Sequence, residues 1–252
     1  MIRDGGTTWP VAIDPPMSGI SRHEWTVVRS GWPTSTKYKS TASEGVGLCD
    51  VQADSSCNLD NKQRMIWEFT GLSTASLAAG DIISATFKAY GTHSYDCAGN
   101  SLQLHLMSAG ISSSTTWNNQ PSSKLYLDSQ YPVIREGQCG KPGWTSWDAT
   151  SGAKEIAGSS DTMVLELKSP TESTMSSWRR YYLYNASLEI KYNRAPTKPS
   201  SMKTLVGATN EGCTTGSGRP LLTSTTPKLS VVAKDPDGQN VAVTFEVYKG
   251  TR

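Results

Sequence analysis

Charge is in short supply in this chain. Only 18% of residues are charged, and 24 basic against 22 acidic side chains leave a net charge of +2. No run of Lys or Arg is long enough to form an electrostatic footprint, so nucleic acid is set aside as a partner. Long apolar runs are missing too, which excludes a membrane-spanning helix. Residues 1–16 lack the basic start and apolar core of a secretory signal, so a secreted protein would need a signal that is removed or lies upstream. Histidine is rare: His23, His93 and His105 stand far apart, and His23-Glu24 lacks the second His of a zinc-protease motif. No G-x-S-x-G or G-x-G-x-x-G is present, and Asp81, Asp96, Asp128, Glu136, Asp148 and Glu166 follow no motif. Carboxylate pairs for glycoside hydrolysis meet in space and not in sequence; with no other catalytic signal, the expectation is a protein that is not an enzyme.

Helical periodicity is absent over any ten-residue stretch; residues 73–79 and 151–157 read as single turns or two in connections. Alternation of period two is plentiful instead. Ala85, Phe87 and Ala89 share one face against Ser84, Thr86 and Lys88, and Leu102, Leu104 and Leu106 alternate with Gln103 and His105. Met163, Leu165 and Leu167, then Leu188, Ile190 and Tyr192, repeat the pattern. Segments with one apolar and one polar face make antiparallel sheets that pack face to face, so the fold class is all-β, a jelly-roll-like sandwich. In this reading His105 is a solvated strand histidine on the polar face. The string from Asn193 to Ser200, with Pro196 and Pro199, reads as an extended linker. Beyond it, residues 228–233 and 241–247 read as two strands joined by Asp235-Pro236-Asp237-Gly238, the opening of a partial immunoglobulin/fibronectin-like β domain. The expected organisation is a lead-in over 1–20, the sandwich over 21–193, the linker over 194–200 and the partial domain over 201–252.

Cys49, Cys57, Cys97, Cys139 and Cys213 form no C-x-x-C and have no His at zinc-ligand spacing. A disulfide framework is the better reading, against reduced buried thiols in a cytosolic protein. Cys49 and Cys57 are close enough to staple one loop, and Cys97 then pairs with Cys139 across two strands, although four cysteines permit three connectivities. Cys213 is expected to be left without a partner, because the chain stops partway through its last domain.

Arg64-Met65-Ile66-Trp67-Glu68-Phe69 leading into Gly71-Leu72, then Ile83-Ser84-Ala85-Thr86-Phe87, then Thr115-Thr116-Trp117-Asn118-Asn119-Gln120-Pro121, resemble the DNRLRE-type β-sandwich module of secreted bacterial (actinobacterial-like) multidomain proteins. Thr8-Trp9-Pro10-Val11-Ala12-Ile13-Asp14-Pro15 resembles the lead-in that precedes this module. The resemblance implies an extracellular or cell-surface, non-catalytic domain beside laminin-G-like or repeat domains, carbohydrate-binding in some members. Where the module has a short acidic and arginine-rich stretch, this chain has Asn61-Lys62-Gln63-Arg64, so only Arg64 carries over. By the same analogy Trp117 plugs one end of the sandwich while the Asn pair satisfies turn backbone groups.

Eight Trp and ten Tyr stand against three Phe, and aromatics are the strongest functional lead. Sugar-binding modules lay the C–H faces of pyranose rings on exposed Trp or Tyr and fix hydroxyls with polar side chains. Trp144 and Trp147, three apart on a strand, point to opposite faces. In Trp178-Arg179-Arg180-Tyr181-Tyr182-Leu183-Tyr184, alternation sets Trp178, Arg180, Tyr182 and Tyr184 on one side and Arg179, Tyr181 and Leu183 on the other. The candidate ligand-binding set is therefore Trp178, Arg180, Tyr182, Tyr184 and Trp144, with a core strand as the alternative. Asp235 and Asp237 are candidate ligands for Ca2+, the only cofactor considered, against a plain hairpin turn. Asn185-Ala186-Ser187 matches a glycosylation sequon at a strand start. The expected function is binding, of polysaccharide, within a larger secreted or surface protein that supplies further domains as partners; the alternative is a structural spacer.

Overall fold

The computed structural model describes residues 20–52, 54–55, 57–214 and 216–245; the expected lead-in, up to residue 19, lies outside the described residues. The chain divides into two compact units with the boundary between Tyr192 and Asn193.

The first unit contains β1 (Ser21–Arg29), β2 (Ser43–Cys49), β3 (Asn61–Thr70), β4 (Ile82–Ser94), β5 (Leu102–Met107), β6 (Ser123–Gln130), β7 (Gly143–Asp148), α1 (Thr150–Ile156), β8 (Met163–Lys168) and β9 (Arg179–Tyr192). The turn expected over 73–79 is a pair of 3-10 turns, Thr74–Ser76 and Ala79–Asp81. All strand pairs are antiparallel, and they run in the order β6-β5-β8-β3-β2-β9-β4-β7, with β1 on the free side of β3. The architecture is an all-β sandwich of two sheets curled into a half-barrel. β2 belongs to both: Ser43 to Val46 pair with β9, and Gly47 to Cys49 pair with β3. The switch falls at Gly47, whose φ of +97° is open to glycine and strained for other residues.

Alternation explains the core. Ala85, Phe87 and Ala89 of β4 face Met65, Trp67 and Phe69 of β3, Leu102, Leu104 and Leu106 of β5, and Met163, Leu165 and Leu167 of β8 within one buried cluster. Phe87 is the hub, with its ring centroid 5.1 Å from Trp67, 5.7 Å from Trp147 and 6.1 Å from Phe69. Burying a side chain of this kind stabilises the fold by about 1.5–3 kcal/mol, and this inner layer is the main source of stability.

The outer face of the sheet formed by β1, β3, β5, β6 and β8 departs from the simple wet-face picture. Val28, Ile66, Met107, Ile111 and Val164 form a second apolar cluster there, and Trp117 packs on it under the Arg64 guanidinium at 4.7 Å. The Thr-Trp-Asn-Asn loop thus seals a sheet face and not an end of the sandwich. Asn119 holds the loop as expected of an Asn in a turn: its Oδ1 accepts from the Thr116 amide at 2.6 Å and its Nδ2 donates to the Ser114 carbonyl at 3.0 Å. His105 is on this covered face and is only 8% exposed, which corrects its reading as solvated. Its Nδ1 meets Ser123 Oγ at 2.8 Å, its Nε2 meets Gln103 Oε1 at 3.1 Å, and Tyr126 stands edge-on at 5.5 Å. Burial, reinforced by the charges of Lys168 and Arg64, holds its pKa down to about 4.

Two disulfides join Cys49 to Cys57 and Cys97 to Cys139, with Cα atoms 5.6 and 5.7 Å apart. In the chain-entropy view, closing sequence separations of 8 and 42 residues stabilises by about 2.5 and 4 kcal/mol. Disulfides persist in an oxidising environment. No helix among the described residues is long and apolar enough to cross a membrane.

The second unit holds a three-stranded antiparallel sheet, β11 (Thr209–Asn210), β10 (Ser200–Val206) and β12 (Lys228–Val232), in the order β11-β10-β12. β10 begins at the last residue of the expected linker. The strand expected over 241–247 is not formed in residues 241–245, and its remainder lies outside the described residues. Met202, Leu229, Val243 and Phe245 are exposed, so clean alternation at 241–245 finds no opposing layer to bury it. Cys213 is an exposed free thiol.

Candidate functional site

β9 positions the site through an irregularity. Its first part pairs Tyr182 with Tyr90 of β4, and its second pairs Ala186 with Ala89. Adjacent residues of β4 therefore face residues four apart on β9, and Leu183, Tyr184 and Asn185 form a bulge. Bulges re-aim side chains and reverse the alternation. Tyr181 before it and Leu183 at its start point into the core, as do Ala186, Leu188 and Ile190 after it. The bulge is pinned from inside, where the Trp67 indole N–H donates to the Leu183 carbonyl at 2.7 Å. From β1, Arg22 Nη1 donates to the Ala186 carbonyl at 3.0 Å.

On the outer face of the sheet formed by β4, β7 and β9 this register assembles a row of rings. Trp144 of β7 lies opposite Tyr90 of β4, and Tyr90 lies opposite Tyr182 of β9. Successive centroids are 5.5 Å apart for Trp144 and Tyr90 and 6.2 Å for Tyr90 and Tyr182, and Tyr184 follows Tyr182 at 5.2 Å. Trp144 is 52% exposed and Tyr184 39%, whereas Trp147 is buried with its indole N–H donating to the Leu102 carbonyl at 3.1 Å. The opposite-face reading of the two tryptophans therefore stands. Tyr90 was missed by sequence reasoning. Its signal was present, because it continues the outward phase of Ser84, Thr86 and Lys88, where an aromatic is not needed for packing.

Polar ground lies on both sides of the row. Toward β2, an open groove of about 440 Å³ is lined by Ser43, Asp54, Ser55, Thr92, His93 and Arg180. Arg180 Nη1 pairs with Asp54 at 3.4 Å while its Nη2 donates to the Ser43 carbonyl at 2.9 Å, and Thr92 Oγ1 meets Ser43 Oγ at 2.6 Å. Burial holds the His93 pKa below its ordinary value, against the opposing pull of Asp54, and leaves a neutral imidazole near pH 7. Beyond Trp144, a second groove of about 440 Å³ is bordered by Tyr131, Lys141 and Ser146.

Trp178 does not join the row. It is 2% exposed, packed with the Cys49–Cys57 disulfide and Tyr95, and its indole N–H donates to Asp54 Oδ2 at 3.0 Å. The alternation that sets it beside Arg180 holds, but the loop closed by that disulfide folds over it. Its role is to fix Asp54, and through Asp54 the Arg180 guanidinium. A Cβ on Gly45 would stand 1.7 Å from the Trp178 ring, so the indole rests directly on the β2 backbone.

The second unit's acidic turn is occupied by an arginine. Asp237 accepts from the Arg194 amide at 2.6 Å and from Arg194 Nε at 2.7 Å, and Asp235 Oδ1 accepts the Asp237 amide at 2.7 Å. Gly238 N–H donates to the Asp235 carbonyl at 3.2 Å, which closes a turn. Among the described residues, no group of three or more His, Cys, Asp or Glu side chains is placed to hold a metal. The candidate acidic side chains of the first unit serve structure where contacts are seen. Asp128 Oδ2 accepts the Asp148 amide at 2.9 Å, Asp96 accepts the Ser176 hydroxyl at 2.5 Å, and buried Glu166 lies between Arg64 and Lys168.

No family model matches the chain, and no curated protein matches it.

Proposed function

We propose that the first unit is a non-catalytic, extracellular carbohydrate-binding module whose platform is the row Trp144, Tyr90, Tyr182 and Tyr184. The observation that supports this reading is the row itself: cross-strand aromatic neighbours, partly or largely exposed, on a sheet face that does not need them for its core. At the usual strand spacing, three rings on neighbouring strands span roughly 10 Å, a length suited to more than one pyranose of a polysaccharide. Sugar C–H faces stack on such rings, and Arg180, Ser43, Thr92 and neutral His93 offer hydrogen bonds at the row's edge. Two disulfides favour an extracellular or cell-surface setting. The resemblance to DNRLRE-type modules, with further domains in the same chain as partners, belongs to the same proposal.

A glycan-array screen in calcium-containing buffer, run beside the Trp144→Ala, Tyr182→Ala double variant, tests it. Saturable binding that the variant loses by tenfold or more, with unchanged circular dichroism, is the expected result. Absence of binding to any neutral or acidic glycan would make the sandwich a structural spacer. Trp178 is left intact because its removal would empty a buried site and confound the readout.

A further inference from the structure

At the edge of the first unit, where β2 passes from one sheet to the other, lies a cavity of about 250 Å³ bordered by Arg29, Lys37, Ser43, Asn61, Trp178 and Arg180. Its size is below the roughly 300–1,000 Å³ of pockets for drug-sized ligands, and suits a single small ring. Two polar atoms of its lining residues are buried with no hydrogen-bond partner: Arg29 Nε, a donor, and Asn61 Oδ1, an acceptor. Native interiors rarely leave such atoms unmatched, and each one calls for an explanation. Asn61 is 3% exposed, and its Nδ2 is committed to the Leu59 carbonyl at 2.8 Å, so the amide's orientation is fixed. The cavity's cations are not equivalent. Lys37 is neutralised by Glu44, and Arg180 is paired with Asp54. Arg29 stacks on Trp32 at 4.6 Å and has no ion-pair partner among the described residues. The lining residues thus include one guanidinium without an ion-pair partner among the described residues, one unmatched acceptor and one indole.

We infer that this cavity is a subsite for a carboxylate-bearing sugar, of the uronic-acid class. The carboxylate would take the Arg29 fork, which suits a planar anion. A ring hydroxyl would donate to Asn61 Oδ1, which no bare anion can do. The ring's apolar face would lie toward Trp178. The cavity shares Ser43 and Arg180 with the open groove beside the aromatic row, so a polysaccharide stacked on Tyr182 can lead an acidic unit into it. The choice of a sugar as ligand rests on the platform reading; the preference for an anion with a hydroxyl rests on Arg29 and Asn61 alone.

The test is an amide and indole NMR titration with D-glucuronate and D-glucose, followed by calorimetry with acidic and neutral hexasaccharides. Glucuronate is expected to shift the Asn61 side-chain amide and the Trp178 indole resonances saturably, and glucose to leave them in place. Arg29→Gln should weaken glucuronate by tenfold or more, and Asn61→Ala by severalfold, each with a dispersed spectrum that reports an intact fold. The Trp144→Ala, Tyr182→Ala variant should leave glucuronate binding unchanged and weaken both hexasaccharides. Equal responses to glucose and glucuronate, no response to either, or unaltered affinity in a folded Arg29→Gln protein would overturn the subsite. Glucuronate binding through Arg29 with hexasaccharide affinity indifferent to the row would leave the subsite standing and remove the platform.

Discussion

Arg179 and Arg180 are identical in chemistry and adjacent in sequence, and the alternation of β9 gives them opposite tasks. Arg179 is 1% exposed and donates to four backbone carbonyls: Pro132 at 3.0 Å, and Ser176, Trp178 and Ala98 each at 2.8 Å. One guanidinium therefore ties together the segment before β9 and two loops of the Cys97–Cys139 region. Burial pulls its pKa down, but an arginine remains charged. Replacing it with Met keeps much of the apolar stem and removes all four bonds. Hydrogen bonds to charged groups contribute about 1.5–3 kcal/mol each, a gross loss of roughly 6–12 kcal/mol. Removal of a buried charge returns part of that, and carbonyls near the loops regain water, so the expected net loss is about 3–5 kcal/mol. Arg180→Met is the internal control. Its side chain is 30% exposed, and its pair with Asp54 should contribute no more than about 1 kcal/mol. In urea denaturation the Arg179→Met midpoint should fall by about 1.5–2.5 M, with the slope unchanged, and that of Arg180→Met by less than about 0.5 M. Midpoints within experimental error of one another would refute the reasoning, because the burial phase of β9 would then carry no energetic weight.

Two further outcomes follow from groups outside the proposed subsite. His105 has a folded pKa of about 4 against an unfolded value near 6.5, so the unfolded state takes up the proton first and stability is lost as pH falls from about 6.5 to 4. Glu166, facing it from β8, has a pKa raised by burial and acts with the opposite sign in both proteins compared; thermal melts at pH 7 and pH 4.5 should therefore show a smaller drop for His105→Gln than for the parent chain, and an equal drop would show that the imidazole is not held neutral. Trp67→Phe should destabilise by about 1–3 kcal/mol through the stranded Leu183 carbonyl and, by loosening the bulge, weaken glycan binding at the row; a folded variant with native stability and affinity would show that the bulge holds itself.

Much of the sandwich was legible because a buried sheet face writes itself into the sequence as period two. The core phases of β4, β5 and β8 follow directly from their alternation, as does the split between Trp144 and Trp147. Even the bulge left a trace. Tyr182 and Tyr184 read outward on even numbers, Leu188 and Ile190 read inward on even numbers, and one strand satisfies both only with an odd insertion between them. The failures share a cause. His105 and Trp178 each lie on the face that alternation calls wet, and each is covered there, His105 by Gln103, Ser123 and the Tyr126 ring and Trp178 by the loop closed by the Cys49–Cys57 disulfide. Period two reports which face a side chain takes and says nothing about what is laid over that face. Residues 241–245 fail the other way, with the pattern of a strand and no layer to bury it.

The position of the site follows from two small residues as much as from its aromatics. Gly45 and Gly47 occupy the same face of β2, and neither has room for a side chain. A Cβ at Gly45 would enter the Trp178 ring, and one at Gly47 would stand 2.4 Å from the Ser177 carbonyl oxygen. Their bareness lets the segment before β9 lie flush on β2. From that placement Ser177 Oγ accepts the Leu48 amide at 2.9 Å, and the Trp178 indole reaches Asp54. With Asp54 anchored, Arg180 is drawn across to the Ser43 carbonyl and stands between the aromatic row and the β2 cavity. Glycines spaced by two in a strand signal close approach of another backbone. Here that approach is what joins an exposed row of rings to a cationic recess, and a larger residue at either position would separate the two while leaving the four rings of the row in place.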